Sequence, residues 1–136
     1  MTLVHVALGS NLGDRARHLE AARSALSRLP DTRVVASSSV EETLPLGGRE
    51  QPPYLNQMVL LDTRLGPREL LRAVQAIEDA EGRVRTGHWD SRTLDIDLVR
   101  FGDIALTDPE LTLPHPGLAE RDFWQREIAE LTAHAP

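Results

Sequence analysis

Arg92-Thr93-Leu94-Asp95-Ile96-Asp97-Leu98-Val99 sets the reading of the whole chain. Leu94, Ile96 and Leu98 alternate with Asp95, Asp97 and Val99, the period of two expected of a half-buried β-strand. A rise of about 3.3 Å per residue puts the two aspartates roughly 7 Å apart along one face, close enough for their carboxylates to converge on a shared hard cation. Taken alone, Asp-x-Asp in a strand is more often a solvated polar edge. The preceding stretch, Gly82-Arg83-Val84-Arg85-Thr86-Gly87-His88-Trp89-Asp90-Ser91-Arg92, weighs against that bland reading by placing three guanidiniums beside the acid pair. Arginine matches phosphate oxygens bidentately and keeps its charge, so a cationic loop next to a dicarboxylate suits a polyphosphate carrying Mg²⁺. Pairing with surface acids is the competing fate of each arginine taken singly.

Working outward, the other segments alternate between strand and helix signals. Leu3 to Leu8 is an apolar run that leaves into the turn-rich Gly9-Ser10-Asn11-Leu12-Gly13-Asp14. Leu19, Ala22, Leu26 and Leu29 recur at helical spacing, with Asp14 as cap and Pro30 as stop. Thr32 to Val40 reads as a second strand, 45–53 as an irregular Gly/Pro loop, and Asn56 to Thr63 as a third strand. Pro67 suits a first helical position, Leu70, Leu71, Val74 and Ile77 form one stripe, and Gly82 ends that helix. The Asp-x-Asp strand is then the fourth. Strand, helix, strand, strand, helix, strand predicts an α+β, ferredoxin-like sandwich, a mostly antiparallel sheet with a helical layer. From Thr107 to Pro136 a Pro-rich loop and a terminal helix add a C-terminal extension.

Composition bounds the function classes. A chain of 136 residues, 40% hydrophobic, fits a single domain over residues 1–136. Its formal charge of −6 disfavours a nucleic-acid or anionic-membrane partner, since both rest on a broad cationic surface. Without cysteine there is no disulfide or thiolate chemistry, which fits a reducing compartment. The first residues lack a signal-peptide pattern and no apolar run approaches the length of a membrane span, so a cytoplasmic location is the expectation; a monomer is the default, since the sequence does not reveal the oligomeric state.

Several blocks together resemble the 6-hydroxymethyl-7,8-dihydropterin pyrophosphokinases of folate biosynthesis. They are Ala7-Leu8-Gly9-Ser10-Asn11-Leu12-Gly13; Thr43-Leu44-Pro45-Leu46-Gly47 with Gln51-Pro52-Pro53-Tyr54-Leu55-Asn56; Glu78 followed by Gly82-Arg83-Val84-Arg85; Arg92 to Val99; and Leu113-Pro114-His115 with Arg121 and Phe123. Each block is weak alone, and their order and spacing make the match specific. The resemblance implies transfer of the terminal pyrophosphate of ATP to the pterin hydroxymethyl group with release of AMP. It implies two Mg²⁺ ions on Asp95 and Asp97, with Arg83, Arg92, His115 and Arg121 on phosphate oxygens and Arg85 a looser contributor. Tyr54 and Phe123 would sandwich the pterin, and Asn56 would read its edge with Thr43 and backbone near Leu46. Gln75, Glu78, Leu98 and Thr112 would surround the base of ATP, and Trp89 would belong to a loop closing over the nucleotide.

The bland readings stand beside these. Tyr54 and Phe123 could be core aromatics, Asn56 a turn residue and Glu78 an exposed helix acid. His5, His18 and His134 show no metal-ligand spacing, and His88 is expected at the surface. Asp90-Ser91 stands where the family usually has Gly-Pro, Glu110 where a relative can be basic, and the family's segment after Phe123 is shortened to Trp124-Gln125-Arg126-Glu127-Ile128-Ala129. Other classes share part of the pattern: a ferredoxin-like RNA-binding module, a different Mg²⁺-dependent phosphotransferase, a ligand-binding homologue without turnover, and a scaffold. The RNA-binding reading lacks strand aromatics and a basic face.

Overall fold

The computed structural model describes residues 1–44, 53–82 and 93–134. Strand β1 (Thr2–Ser10) leads into helix α1 (Arg15–Ser27), then β2 (Thr32–Ser37), β3 (Glu41–Thr43) and β4 (Tyr54–Thr63). Helix α2 (Pro67–Ala80) and strand β5 (Asp95–Phe101) follow, then a two-stranded ribbon of β6 (Leu106–Thr107) and β7 (Thr112–Leu113). A 3₁₀ turn (Pro116–Ala119) precedes helix α3 (Asp122–His134). The main sheet runs β2-β4-β1-β5 with β3 also on β4, and its described pairings are antiparallel. The α+β expectation holds, and nothing in this order conflicts with the ferredoxin-like layout.

Local chemistry sets the helix ends where the sequence places them. Asp14 caps α1 by accepting a hydrogen bond from the Arg17 amide (3.2 Å). Pro67 opens α2, the Glu69 carboxylate accepts from the Gly66 amide (3.0 Å), and Gly82 takes a positive φ of 84° just after the helix. Two strand bounds differ from expectation. The second strand stops at Ser37 because Ser38 turns its side chain back onto β4: its Oγ accepts from the Met58 amide (2.8 Å), and its carbonyl accepts from Gln57 Nε2 (2.6 Å). The chain then pairs again as β3, opposite Tyr54–Asn56, which extends β4 two residues before Asn56.

Both faces of the sheet are covered. Val4, Val6, Leu8, Val59, Leu61, Ile96 and Leu98 face α1 and α2 in the larger core. Ala7, Met58, Leu60 and Val99 face the opposite way and are sealed by Trp124, Ile128 and Leu131 of α3. The terminal extension is therefore a second covering layer over the Ala7–Met58–Leu60–Val99 part of the far face, while Tyr54, Asp95 and Asp97 on that face stay partly exposed. In β5 the alternation read from Leu94 to Val99 holds. Between His5 and Val6 the β1–β5 register then shifts, Val6 facing Leu98 and His5 facing Arg100. This bulge at Val99 resets the phase, so that Phe101 rejoins the helical-side core.

Candidate active site

The strand register builds the site before any loop is considered. Asn56 on β4 pairs with Gly9 on β1, and Gly9 pairs with Asp95 on β5. One row across the sheet thus holds an amide, a glycine and a carboxylate, with Asn56 and Asp95 separated by two strand spacings, roughly 10 Å. The next row is Met58, Ala7 and Asp97. Small residues at Gly9 and Ala7 leave the floor between the outer strands low. A Cβ on Gly9 would lie 3.4 Å from Asn56 Oδ1 and 3.5 Å from the Tyr54 ring, so the glycine lets both side chains lean over β1.

At the Asn56 end, Nδ2 donates to Thr43 Oγ1 (2.5 Å). Thr43 is the register partner of Tyr54, so β3 brings three expected pterin residues together. Asn56 is buried and part of the sheet, which excludes the turn-residue reading. Phe123 lies in the first turn of α3, partly buried against the smaller core, its ring 6.2 Å from that of Trp124.

At the other end, Asp97 meets an imidazole and a guanidinium. His115 Nε2 is 3.7 Å from Oδ1 and Arg121 Nη1 is 4.0 Å from Oδ2. These exceed hydrogen-bond length, so neither donor is spent on the carboxylate. His115 is fixed from behind: its amide donates to the Val99 carbonyl (2.8 Å), and its Nδ1 accepts from the Gly117 amide (2.9 Å). An accepting Nδ1 assigns the neutral-ring proton to Nε2, on the side of Asp97. Trp124, met in the sequence only in the shortened segment after Phe123, touches both side chains. His115 stands edge-on to it at 4.9 Å, and the Arg121 guanidinium lies 4.3 Å over its ring.

The nucleotide-base candidates are more scattered. Glu78 is almost fully buried, and its Oε2 accepts from the Ile96 amide (2.8 Å). It is therefore no exposed helix acid: it ties α2 to the strand bearing the aspartates. Leu98 points its side chain into the helical-side core, on the face opposite Asp97, so only its backbone is left to approach a nucleotide. Gln75 accepts from Arg72 Nη1 (3.3 Å), Thr112 pairs with Thr107 in the ribbon, and Glu110 binds Arg72 Nη2 (2.6 Å). Leu46, Arg83, Arg85, His88, Trp89, Asp90, Ser91 and Arg92 lie outside the described residues.

Among the remaining histidines, His5 stays in its strand, its pKa pushed down by burial and then by Arg100. His18 lies on α1 and faces inward: it is buried, with Nδ1 2.8 Å from Glu81 Oε1, joining the start of α1 to the end of α2.

Asp95 and Asp97 offer hard oxygen donors on one strand face, both partly exposed. Among the described residues no three His, Cys, Asp or Glu side chains converge as a metal cage. Two carboxylates without a cage fit Mg²⁺, which takes one or two protein carboxylates and completes its shell with phosphate oxygens and water.

The family model described as 7,8-dihydro-6-hydroxymethylpterin-pyrophosphokinase (HPPK) matches residues 5–133. The chain belongs to this family. It is similar to the 2-amino-4-hydroxy-6-hydroxymethyldihydropteridine pyrophosphokinase of Pseudomonas aeruginosa, 45% identical over 128 residues covering 94% of this chain and 79% of the relative. Proteins of the same name from Haemophilus influenzae and Bacillus subtilis are 40% and 38% identical, covering 90% and 95% of this chain and 77% of each relative. The reaction class is accordingly that of the family, a pyrophosphokinase of folate biosynthesis. Among the described residues no helix is long and apolar enough to cross a membrane.

Proposed function

We propose that residues 1–136 act as one pyrophosphokinase domain that transfers the terminal pyrophosphate of ATP to 6-hydroxymethyl-7,8-dihydropterin and releases AMP, with the Asp95–Asp97 face as its Mg²⁺ and phosphate site. The observation that most supports this reading is the row running from Asn56 over Gly9 to Asp95, flanked by His115 and Arg121 at Asp97. It sets an amide able to read a flat heterocycle and an acidic, cation-flanked site at the two ends of one shallow groove, about one bicyclic ring apart.

Each residue then has a physical task. Asn56, its Nδ2 engaged by Thr43, is held in one orientation and offers Oδ1 to the pterin edge. Tyr54 and Phe123 supply apolar surface for the ring faces. His115 Nε2–H and the Arg121 fork donate to phosphate oxygens and offset the charge that develops on them during transfer. Asp95 and Asp97 would hold Mg²⁺, two ions by family resemblance, which when bound supply neutralisation of phosphate charge and alignment of the transferring group. Arg83, Arg92 and Arg85 would add cations from their loop, and Trp89 would help exclude water. The remaining work is alignment, so the site needs no dedicated general base close to the groove.

The deciding experiment mixes the protein with MgATP and the dihydropterin and follows AMP and pterin pyrophosphate by chromatography, with Asp97→Ala as control. Equal amounts of both products, lost in the variant, are expected. ADP as the nucleotide product would overturn pyrophosphoryl transfer, and undiminished turnover by the variant would overturn the assignment of Asp97.

A further inference from the structure

We propose that Trp124 is a positioning residue that holds His115 and Arg121 at a fixed spacing, so that the imidazole Nε2–H and the guanidinium act as one unit on a single phosphate; the inference rests on their reading as phosphate donors. The indole is 3% exposed, in the first turn of α3. One ring serves both neighbours: its face carries the Arg121 guanidinium at 4.3 Å, and the imidazole of His115 meets it near-perpendicularly at 4.9 Å between centroids. These are the favoured geometries for a cation over an aromatic face and for a T-shaped ring pair.

The backbone around the trio leaves little room for another arrangement. The Trp124 amide donates to the Arg121 carbonyl (3.0 Å) and the Arg121 amide to the Gly117 carbonyl (3.0 Å). Gly117 in turn donates to His115 Nδ1 (2.9 Å). A Cβ at Gly117 would come within 3.1 Å of both His115 Nδ1 and Arg121 Nε, so the two side chains close tightly over this residue and would have to give by a few tenths of an ångström to admit one. With Gly117 on one side and Trp124 on the other, neither side chain can swing away from Asp97 without losing an aromatic contact. A long, flexible arginine gains most from such a platform, because the ring fixes rotamers that binding would otherwise have to order.

The test is a double-mutant cycle on nucleotide binding, using Mg²⁺ with α,β-methylene-ATP and calorimetry. Trp124→Leu should weaken binding about tenfold, Trp124→Phe, which keeps a ring, by less than about threefold. In the Arg121→Ala background Trp124→Leu should cost markedly less than in the unaltered protein, since part of what it positions is gone. A purely structural tryptophan would cost the same in both backgrounds, and equal costs would overturn the inference. A second reading does not depend on the leucine variant folding. Trp89 and Trp124 are the two tryptophans, so in a Trp89→Phe protein the emission comes from Trp124. That emission should shift as the analogue saturates, and an unmoved spectrum would overturn the proposal. Failure of the unaltered protein to bind the analogue would overturn the phosphate reading itself, whereas binding with equal costs removes only the role of Trp124.

Discussion

Replacing Glu127 by glutamine should make the protein lose less stability as pH rises. Glu127 lies on the α3 stripe that also carries Trp124, Ile128 and Leu131, and it is 3% exposed. Neither carboxyl oxygen meets a donor among the described residues, and the proton that Glu127 keeps is shared with the Glu41 carboxylate. Burial first, then the hydrogen bond and charge of Glu41 and weakly the charge of Glu130, outweigh the attraction of Arg126 and push the carboxyl from an ordinary 4.5 up to about 9. Between those values the unfolded chain has released its proton while the native protein keeps it, so native stability falls with rising pH. Below the lower value both states are protonated, and there the contribution is fully retained. At full slope the loss is about 1.4 kcal/mol per pH unit, or nearly 3 kcal/mol from about pH 5.5 to 7.5. Solvent reaching the Glu41 side of the pair screens this, and about 1–2 kcal/mol is the expected share. Urea unfolding of the unaltered protein and Glu127→Gln at several pH values reads it directly. The buried amide shifts all the variant's values by a constant, so the informative quantity is the difference between the two proteins as a function of pH. A difference that stays flat within about 0.5 kcal/mol across that window would show that Glu127 titrates as an ordinary surface acid, and the reasoning would fail.

Two further substitutions probe the groove and its frame. Asn56→Ala should raise KM for the dihydropterin at least about tenfold while leaving KM for ATP within about twofold, as steady-state kinetics would report; equal effects on both substrates would refute its place at the pterin end. His18→Ala should cost about 1–3 kcal/mol in urea unfolding by leaving the Glu81 carboxylate without its 2.8 Å partner, and a cost below about 0.5 kcal/mol would mean that water replaces the imidazole freely.

What the sequence reveals best is whatever repeats over short range. The alternation from Leu94 to Val99, the stripe from Leu70 to Ile77, the cap at Asp14 and the helix start at Pro67 are each decided by neighbours a few residues apart, and all four appear in the structure where local rules put them. The bulge at Val99 and the break at Ser38 are invisible locally because each is set by a partner strand: Val99 by the register against β1, Ser38 by hydrogen bonds to Gln57 and Met58 about twenty residues away. Family resemblance supplies the names of the site residues but not their grouping. Only pairing aligns Asn56, Gly9 and Asp95 in one row, since a one-residue slip in β1 would turn Gly9 to the helical side and put Leu8 in the groove.

Glu127 shows the same limit from the opposite direction. Its spacing from Trp124, Ile128 and Leu131 places a carboxyl group on an apolar stripe, a conflict that the sequence displays but cannot resolve. A helix facing water on that side would leave the acid ionised and unremarked. Here α3 covers part of the second face of the sheet, and the same helix carries Phe123 at the pterin end and Trp124 behind His115 and Arg121. Deprotonating Glu127 would place a charge in the layer that supports both ends of the groove. The pH at which α3 loosens therefore bears on substrate binding as well as on stability, and the two should change together in the unaltered protein and separate in Glu127→Gln.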